Sequence, residues 1–127
     1  MKTSNFANWQ RNRFPGAISI SRFPDRRSGY NGPEFPPLMP SSQLLKAYKD
    51  GMSWDEYRKH YNEQLLCLNA EMVWQQLLNI VDGAEPVLLC YESAKSLEEK
   101  PCHRRLVADW FEYSLDFVIE EWSKDPA

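Results

Sequence analysis

The stretch that decides the fold is Pro86-Val-Leu-Leu-Cys-Tyr-Glu92, which is followed ten residues after its end by Cys102-His-Arg-Arg105. A short apolar run between a proline and a carboxylate is typical of a buried strand, here one that ends next to Glu92. Pro101 suits the first position of a helix, where a missing N–H needs no partner, and a helix is predicted from Pro101 to about Tyr113. Ligands of open α/β sheets bind beyond the carboxyl ends of the strands, and helix N-termini there attract anions. The two motifs together therefore predict a binding site.

Length and composition restrict the class of protein. A chain of 127 residues with 43% hydrophobic and 13% aromatic residues is long enough to bury a core, and we expect a single domain over residues 1–127. The N-terminus lacks the apolar segment of a secretory signal, and no apolar run approaches the length of a membrane span. Three cysteines are too few, and an odd number, for a disulfide framework. These features predict a cytoplasmic protein in a reducing compartment.

Charge is distributed unevenly along the chain, whose net charge is −3. Residues 1–35 hold six lysines and arginines against two acids, whereas residues 110–127 hold five acids against one lysine. Such polarity indicates either a surface that faces phosphate on one side or charged ends that dock a protein partner. The acidic net charge and the lack of a lysine-rich stripe disfavour a long nucleic-acid duplex as the ligand.

Local patterns predict an alternation of strands and helices. The predicted strands are residues 16–21, 86–91 and 116–120, and for the last of these a helix continuing to Trp122 is the alternative. Helices are predicted after capping residues, which are Ser41 or Ser42, Ser53 and Asn69. Strands separated by helices need a right-handed crossover and are parallel. We therefore predict a small three-layer α/β domain, Rossmann-like, with a mostly parallel sheet flanked by helices on both faces.

The segment from Arg22 to Pro40 is predicted to be a loop. It holds five of the nine prolines and two glycines, which disfavour a helix or an inner strand. A loop of this length in a compact domain is usually functional or disordered. Its arginines and aromatic residues suit a polar or planar ligand, and they are Arg22, Arg26, Arg27, Tyr30 and Phe35.

The order of short motifs along most of the chain resembles one protein family. The motifs are Thr3-Ser-Asn-Phe-Ala7, Ile18-Ser-Ile-Ser-Arg22 with Pro24, Leu38-Met-Pro-Ser41, Leu44-Leu45 through Tyr48-Lys49, Trp54-Asp-Glu-Tyr57 with Tyr61, Val87-Leu-Leu-Cys-Tyr-Glu92 and Cys102-His-Arg-Arg105. They are similar to those of the family called domain of unknown function 488 (DUF488). The resemblance implies a cytosolic α/β domain of a bacterium or phage, and it implies no established reaction. By position it puts Ser19, Arg22, Glu92, Cys102, His103 and Arg104 on the family's motifs.

Three residues at the predicted sheet edge are candidates for catalysis. Glu92, at the tip of an apolar strand, is suited to act as a general base, to bind a ribose hydroxyl or to pair with an arginine. A helix N-terminus and neighbouring cations favour the thiolate of Cys102 as a nucleophile or redox-sensitive group. The alternative for Cys102 is a small residue that packs the strand–helix joint beside Cys90. His103 has the intrinsic pKa to titrate near neutrality.

Four further residues are candidates for ligand binding, namely Ser19, Arg22, Arg104 and Arg105. Guanidinium groups clamp phosphate in a bidentate manner, and Phe23, Tyr30 and Tyr91 offer faces on which a base can stack. The chain has no Cys-x-x-Cys or His-x-x-x-His pair, and we predict no metal site. It also has no P-loop and no dinucleotide fingerprint, and we predict no cofactor.

These observations favour a protein that binds a small phosphate-bearing ligand, such as a nucleotide or a nucleic-acid component. A hydrolase or transferase acting on that ligand would need no cofactor motif, although the sequence leaves open whether the protein is an enzyme. Two other classes also stay open. One is a non-catalytic interaction module, such as a phage or host accessory protein, and the other is a redox sensor based on Cys102.

Overall fold

The computed structural model describes residues 1–23, 25–91 and 102–122, apart from the side chain of Arg26. Within these residues it contains nine regular elements, which are β1 (Lys2–Asn5), α1 (Phe6–Asn12), β2 (Ala17–Ser19), α2 (Ser42–Lys49), α3 (Trp54–Leu66), α4 (Ala70–Val81), β3 (Val87–Cys90), α5 (His103–Leu115) and β4 (Glu120–Glu121). The predicted loop between β2 and α2 forms two short 3-10 turns, Arg26–Ser28 and Pro36–Leu38.

The four strands form one sheet in the order β2-β3-β1-β4, and every pair is parallel. Asn5 lies opposite Cys90 at the carboxyl ends of β1 and β3, and Ser19 lies opposite Leu89 in the β2–β3 pair. Because all strands run the same way, their carboxyl ends meet at one edge of the sheet. The predicted α/β class with a parallel sheet is confirmed.

Two apolar clusters show how the layers are arranged. Ile18 and Leu88 pack with side chains from α2, α3, α4 and α5. Val87 and Leu89 pack instead with α1 and with Tyr30. Successive side chains of a strand point to opposite faces, so the two clusters lie on opposite sides of the sheet. The helices therefore cover both faces, as the sequence predicts for a three-layer domain.

The predicted helix starts are confirmed by their capping bonds. The side chains of Ser41, Ser53 and Asn69 each accept a hydrogen bond from the backbone amide three residues further on. No helix in the described part of the chain combines the length and the apolar character that a bilayer crossing requires.

Three elements differ from the sequence prediction. The N-terminal residues form the inner strand β1, which the pattern does not mark because its buried positions include the polar residues Thr3 and Ser4. The last strand is only Glu120–Glu121, since α5 continues to Leu115 and ends at Asp116, whose φ of 60° is left-handed. The structure begins α5 at His103, and Pro101 lies outside the described residues.

Candidate functional site

A cavity of about 340 Å³ lies at the carboxyl ends of β2 and β3. Its wall is formed by the segment after β2, the end of β3, the start of α5 and side chains of α2 and α3. The lining residues are Ser21, Arg22, Phe23, Pro40, Leu45, Tyr48, Lys49, Tyr57, Cys90, Tyr91, Cys102 and His103. The cavity lies where the two sequence motifs meet in space, beside the N-terminus of α5. Glu92 and the segment 93–100 lie outside the described residues.

The ring of His103 is buried and held from three directions. Its Nε2 lies 2.7 Å from the carbonyl oxygen of Ile20, and its ring packs edge-on against Tyr61 with 5.3 Å between centroids. Its Nδ1 lies 3.7 Å from the Sγ of Cys102. Because a carbonyl oxygen only accepts, Nε2 carries the ring proton and Nδ1 presents its lone pair to the Cys102 side.

Burial, together with the nearby positive charge of Arg104, lowers the pKa of His103 to about 4, against the opposing effect of the hydrogen bond to Ile20. The imidazole is therefore neutral at pH 7. The sequence suggests titration near neutrality, and the burial of the ring corrects this expectation. The buried neutral ring is suited to accept a hydrogen bond from a thiol and to orient it.

Cys102 and Cys90 are joined in the structure by a disulfide. Both residues are buried, and the Nη1 of Arg104 donates a hydrogen bond of 3.2 Å to the Sγ of Cys90. The sequence suggests only that the two cysteines are neighbours at the strand–helix joint, because a count of three cysteines does not indicate which of them pair. Cys67, at the end of α3, is an exposed free thiol.

The ligand atoms of Cys90, Cys102 and His103 all lie within 4.8 Å of one another. Two thiolates and an imidazole are ligands that zinc prefers, and such a set is available only when the disulfide is reduced. The spacing rules for metal motifs miss this cluster, since its members come from β3 and α5, which are brought together by the fold.

Two of the predicted ligand-binding arginines point into the protein. Arg104 is fully buried and pairs with the carboxylate of Glu121 through two hydrogen bonds, Nε to Oε1 and Nη2 to Oε2, each 2.9 Å long. Arg105 donates from Nη1 to the Oγ1 of Thr3 at 2.8 Å and to the carbonyl oxygen of Ile119 at 3.0 Å. Both arginines thus fasten α5 to the sheet and to the chain around β4, and neither of them lines the cavity.

Arg22 is the predicted ligand-binding residue that does line the cavity. It is half-buried, and its Nε donates a hydrogen bond of 2.9 Å to the carbonyl oxygen of Pro40. Among the described residues its two Nη groups have no hydrogen-bond partner. Ser19 lies within β2, where its hydroxyl is bonded to the backbone of Ser21.

Aromatic residues lie on both faces of the sheet, and Tyr91 contacts both, because it lines the cavity while its ring packs edge-on against Phe6 with 5.4 Å between centroids. Phe23 and Tyr91 line the cavity, as their predicted role in stacking requires, and the hydroxyl of Tyr91 donates to the carbonyl oxygen of Phe23. Tyr30 lies on the opposite face against Phe6, so it takes no part in the cavity. Tyr48 and Lys49 of α2 are lining residues that the sequence analysis missed.

The chain was compared with known proteins and families. The family model DUF488-N3a, described as the active DUF488-N3 subclade, matches residues 9–115. Searches of the curated proteins and of the solved structures found no match.

Proposed function

Because the chain belongs to the DUF488 family, in the subclade described as active, we propose that it is an enzyme acting on a phosphate-bearing ligand. The ligand is a nucleotide or a component of nucleic acid, and the reaction is a hydrolysis or a group transfer. The observation that carries this proposal is the cavity at the carboxyl edge, where a cation, aromatic rings and a cysteine–histidine pair share one wall.

The phosphate would bind between Arg22 and the N-terminus of α5. This helix is 13 residues long, and its N-cap residue Cys102 makes no capping bond with its side chain. Unpaired amides in a first turn and the helix dipole attract an anion. The Nη groups of Arg22 supply the planar donors that phosphate oxygens accept from. Lys49, also in the wall, adds a second positive charge.

The remainder of the ligand would lie against the aromatic part of the wall. Phe23 and Tyr91 are exposed by 61% and 45%, and so present apolar surface to a guest. The ammonium of Lys49 lies 5.8 Å above the ring of Phe23. Stacking of a base on an aromatic ring contributes roughly 1–3 kcal/mol. The volume of the cavity is at the lower end of the range of roughly 300–1000 Å³ for ligand pockets, which favours one nucleotide unit.

We propose that the thiol of Cys102, in its reduced form, is the nucleophile of the hydrolysis or group transfer. Its position at the N-terminus of α5 favours the thiolate, and the lone pair of His103 Nδ1 faces it at 3.7 Å. Glu92, which follows the last residue of β3 by two positions in the sequence, is the acid–base group that we propose. The description of the subclade as active agrees with a catalytic role.

The test is ligand-dependent thermal stabilisation of the reduced protein. The panel contains nucleotides, nucleosides, sugar phosphates and short oligonucleotides. We expect one class to raise the melting temperature of the wild type, and the variant Arg22→Ala to lose this response. The control is Arg27→Ala, since the side chain of Arg27 is 97% exposed and does not line the cavity. A folded wild type that responds to no member of the panel would contradict the proposal.

A further inference from the structure

We infer that Cys90 and Cys102 form a redox-active dithiol, which a low-molecular-weight disulfide such as oxidised glutathione converts to the internal disulfide. Both cysteines line the cavity, which is the side from which we expect a small reagent to approach. Oxidation also removes the nucleophile and stops the reaction, and this regulatory effect rests on the proposed function.

A guanidinium group and a helix N-terminus lie beside the two sulfur atoms. The guanidinium of Arg104 donates to the Sγ of Cys90 at 3.2 Å, and the two hydrogen bonds to Glu121 fix it there. Cys102 lies at the positive end of the α5 dipole. Thiolates are the attacking species in disulfide exchange, so both contacts promote the reaction.

The positions of Cys102 and Cys90 give them different roles in the exchange reaction. Cys102 lies at the N-terminus of α5 and is 5% exposed, against 1% for Cys90, so we assign Cys102 as the attacking residue and Cys90 as the resolving one. The Cys102 thiolate attacks one sulfur of oxidised glutathione, a mixed disulfide forms, and one glutathione leaves as its thiolate. The Cys90 thiolate then attacks the sulfur of Cys102 and displaces the second glutathione. The protein loses two electrons and two protons, and one glutathione disulfide becomes two thiols.

Cys67 provides a reference inside the same chain. It is exposed at the end of α3, and it is a free thiol in the structure in which the other two cysteines are bonded. Cys67 should therefore react as a single thiol, with an alkylating reagent or with glutathione, in both redox states of the Cys90–Cys102 pair, while Cys90 and Cys102 respond together.

In the experiment, the full chain is equilibrated in buffers with a graded ratio of reduced to oxidised glutathione, and exchange is then quenched with acid. The free thiols are alkylated after denaturation, and the modified peptides are identified by mass spectrometry. We expect Cys90 and Cys102 to lose alkylation together over one two-electron transition, with a peptide pair joined by a disulfide. Excess dithiothreitol added to the native protein should restore both thiols. Cys67 should take up glutathione without forming an internal bridge.

Two variants test the assigned order. In Cys90→Ser the reaction should stop at a glutathione adduct on Cys102, whereas in Cys102→Ser the adduct on the buried Cys90 should form at least tenfold more slowly. Should either variant fail to fold, the wild-type titration decides alone. The inference is overturned if Cys90 and Cys102 stay fully alkylated at every ratio, or if dithiothreitol cannot reduce the bridge in the native protein.

The redox titration contains no ligand, so its result does not depend on the proposed function. The regulatory part of the inference is tested by repeating the ligand-stabilisation and activity assays on the reduced and oxidised forms of the protein. Loss of activity on oxidation, with recovery on reduction, supports regulation. Equal activity of the reduced and oxidised forms overturns the regulatory role. If Cys90 and Cys102 form the disulfide reversibly but the protein binds no ligand of the panel, only the proposed function is overturned.

Discussion

The Nε2 of His103 donates to the carbonyl oxygen of Ile20 over 2.7 Å, and this bond links the start of α5 to the residue that follows β2. It fixes the tautomer of the ring, so the lone pair of Nδ1 faces the sulfur of Cys102. One backbone carbonyl thereby orients the imidazole toward the cavity. Because the ring is neutral and buried, its protonation is coupled to the stability of the fold.

The low pKa of His103, about 4, predicts a loss of stability in mild acid. The unfolded chain takes up a proton at this histidine below about pH 6.5, whereas the folded chain does so only near pH 4. Stability therefore falls as the pH drops from 6.5 toward 4, by about 2 kcal/mol at pH 5 relative to pH 7.5. Urea unfolding at both pH values measures this loss.

The matched variants for this test are His103→Gln and His60→Gln. The first should reduce the difference between the two pH values by about 2 kcal/mol, whatever its effect on absolute stability. The second should leave the difference largely unchanged, because His60 is exposed on α3. The same pH difference in His103→Gln as in the wild type would contradict the coupling.

Reduction of the Cys90–Cys102 disulfide should destabilise the protein. The bond joins residues 12 positions apart and restricts the unfolded chain, which stabilises the fold by about 2–3 kcal/mol. We expect a lower melting temperature in the presence of a phosphine reductant, measured by circular dichroism. Cys90→Ser, which cannot form the bond, serves as the control and should not respond to the reductant. An unchanged wild-type melting temperature, with reduction verified by mass, would refute this prediction.

The Arg104–Glu121 pair should be a major contributor to stability. Arg104→Met removes one partner and leaves the largely buried carboxylate of Glu121 without its guanidinium, at a cost of about 3–5 kcal/mol. The exposed pair of Arg58 and Asp55 is the control, and Arg58→Met should cost less than about 1 kcal/mol. Urea denaturation compares the two. The double variant Arg104→Met/Glu121→Leu should recover part of the loss, and no recovery would argue against an isolated charge as the cause.

Lys49 should contribute to ligand affinity through its charge. Once a ligand is identified, Lys49→Ala should weaken binding about tenfold at low salt, since a hydrogen bond to a charged group contributes roughly 1.5 kcal/mol. Lys46→Ala lies on the same helix, outside the cavity wall, and should bind as the wild type does. Isothermal titration at two salt concentrations measures both variants. Equal losses in the two variants would indicate a general charge effect.

Much of the architecture can be predicted from the sequence because its signals are local. The apolar run of β3, the β-branched run of β2 and the capping side chains of α2, α3 and α4 each act within a few residues. The crossover rule then makes the strands parallel, and parallel strands bring the two motifs to one edge of the sheet. The sequence by itself therefore determined the fold class and the position of the candidate site.

The partners of individual side chains were decided by the tertiary structure alone. Arg104 and Glu121, His103 and Ile20, and Cys90 and Cys102 meet only when the chain folds, and no spacing rule indicates such pairs. Strand β1 has no apolar alternation by which the sequence could mark it. Its buried hydroxyls are tolerated because they donate hydrogen bonds to the chain around β4, which only the fold brings near. A hydrogen bond or ion pair between distant residues depends on their separation in space, which local sequence patterns do not encode.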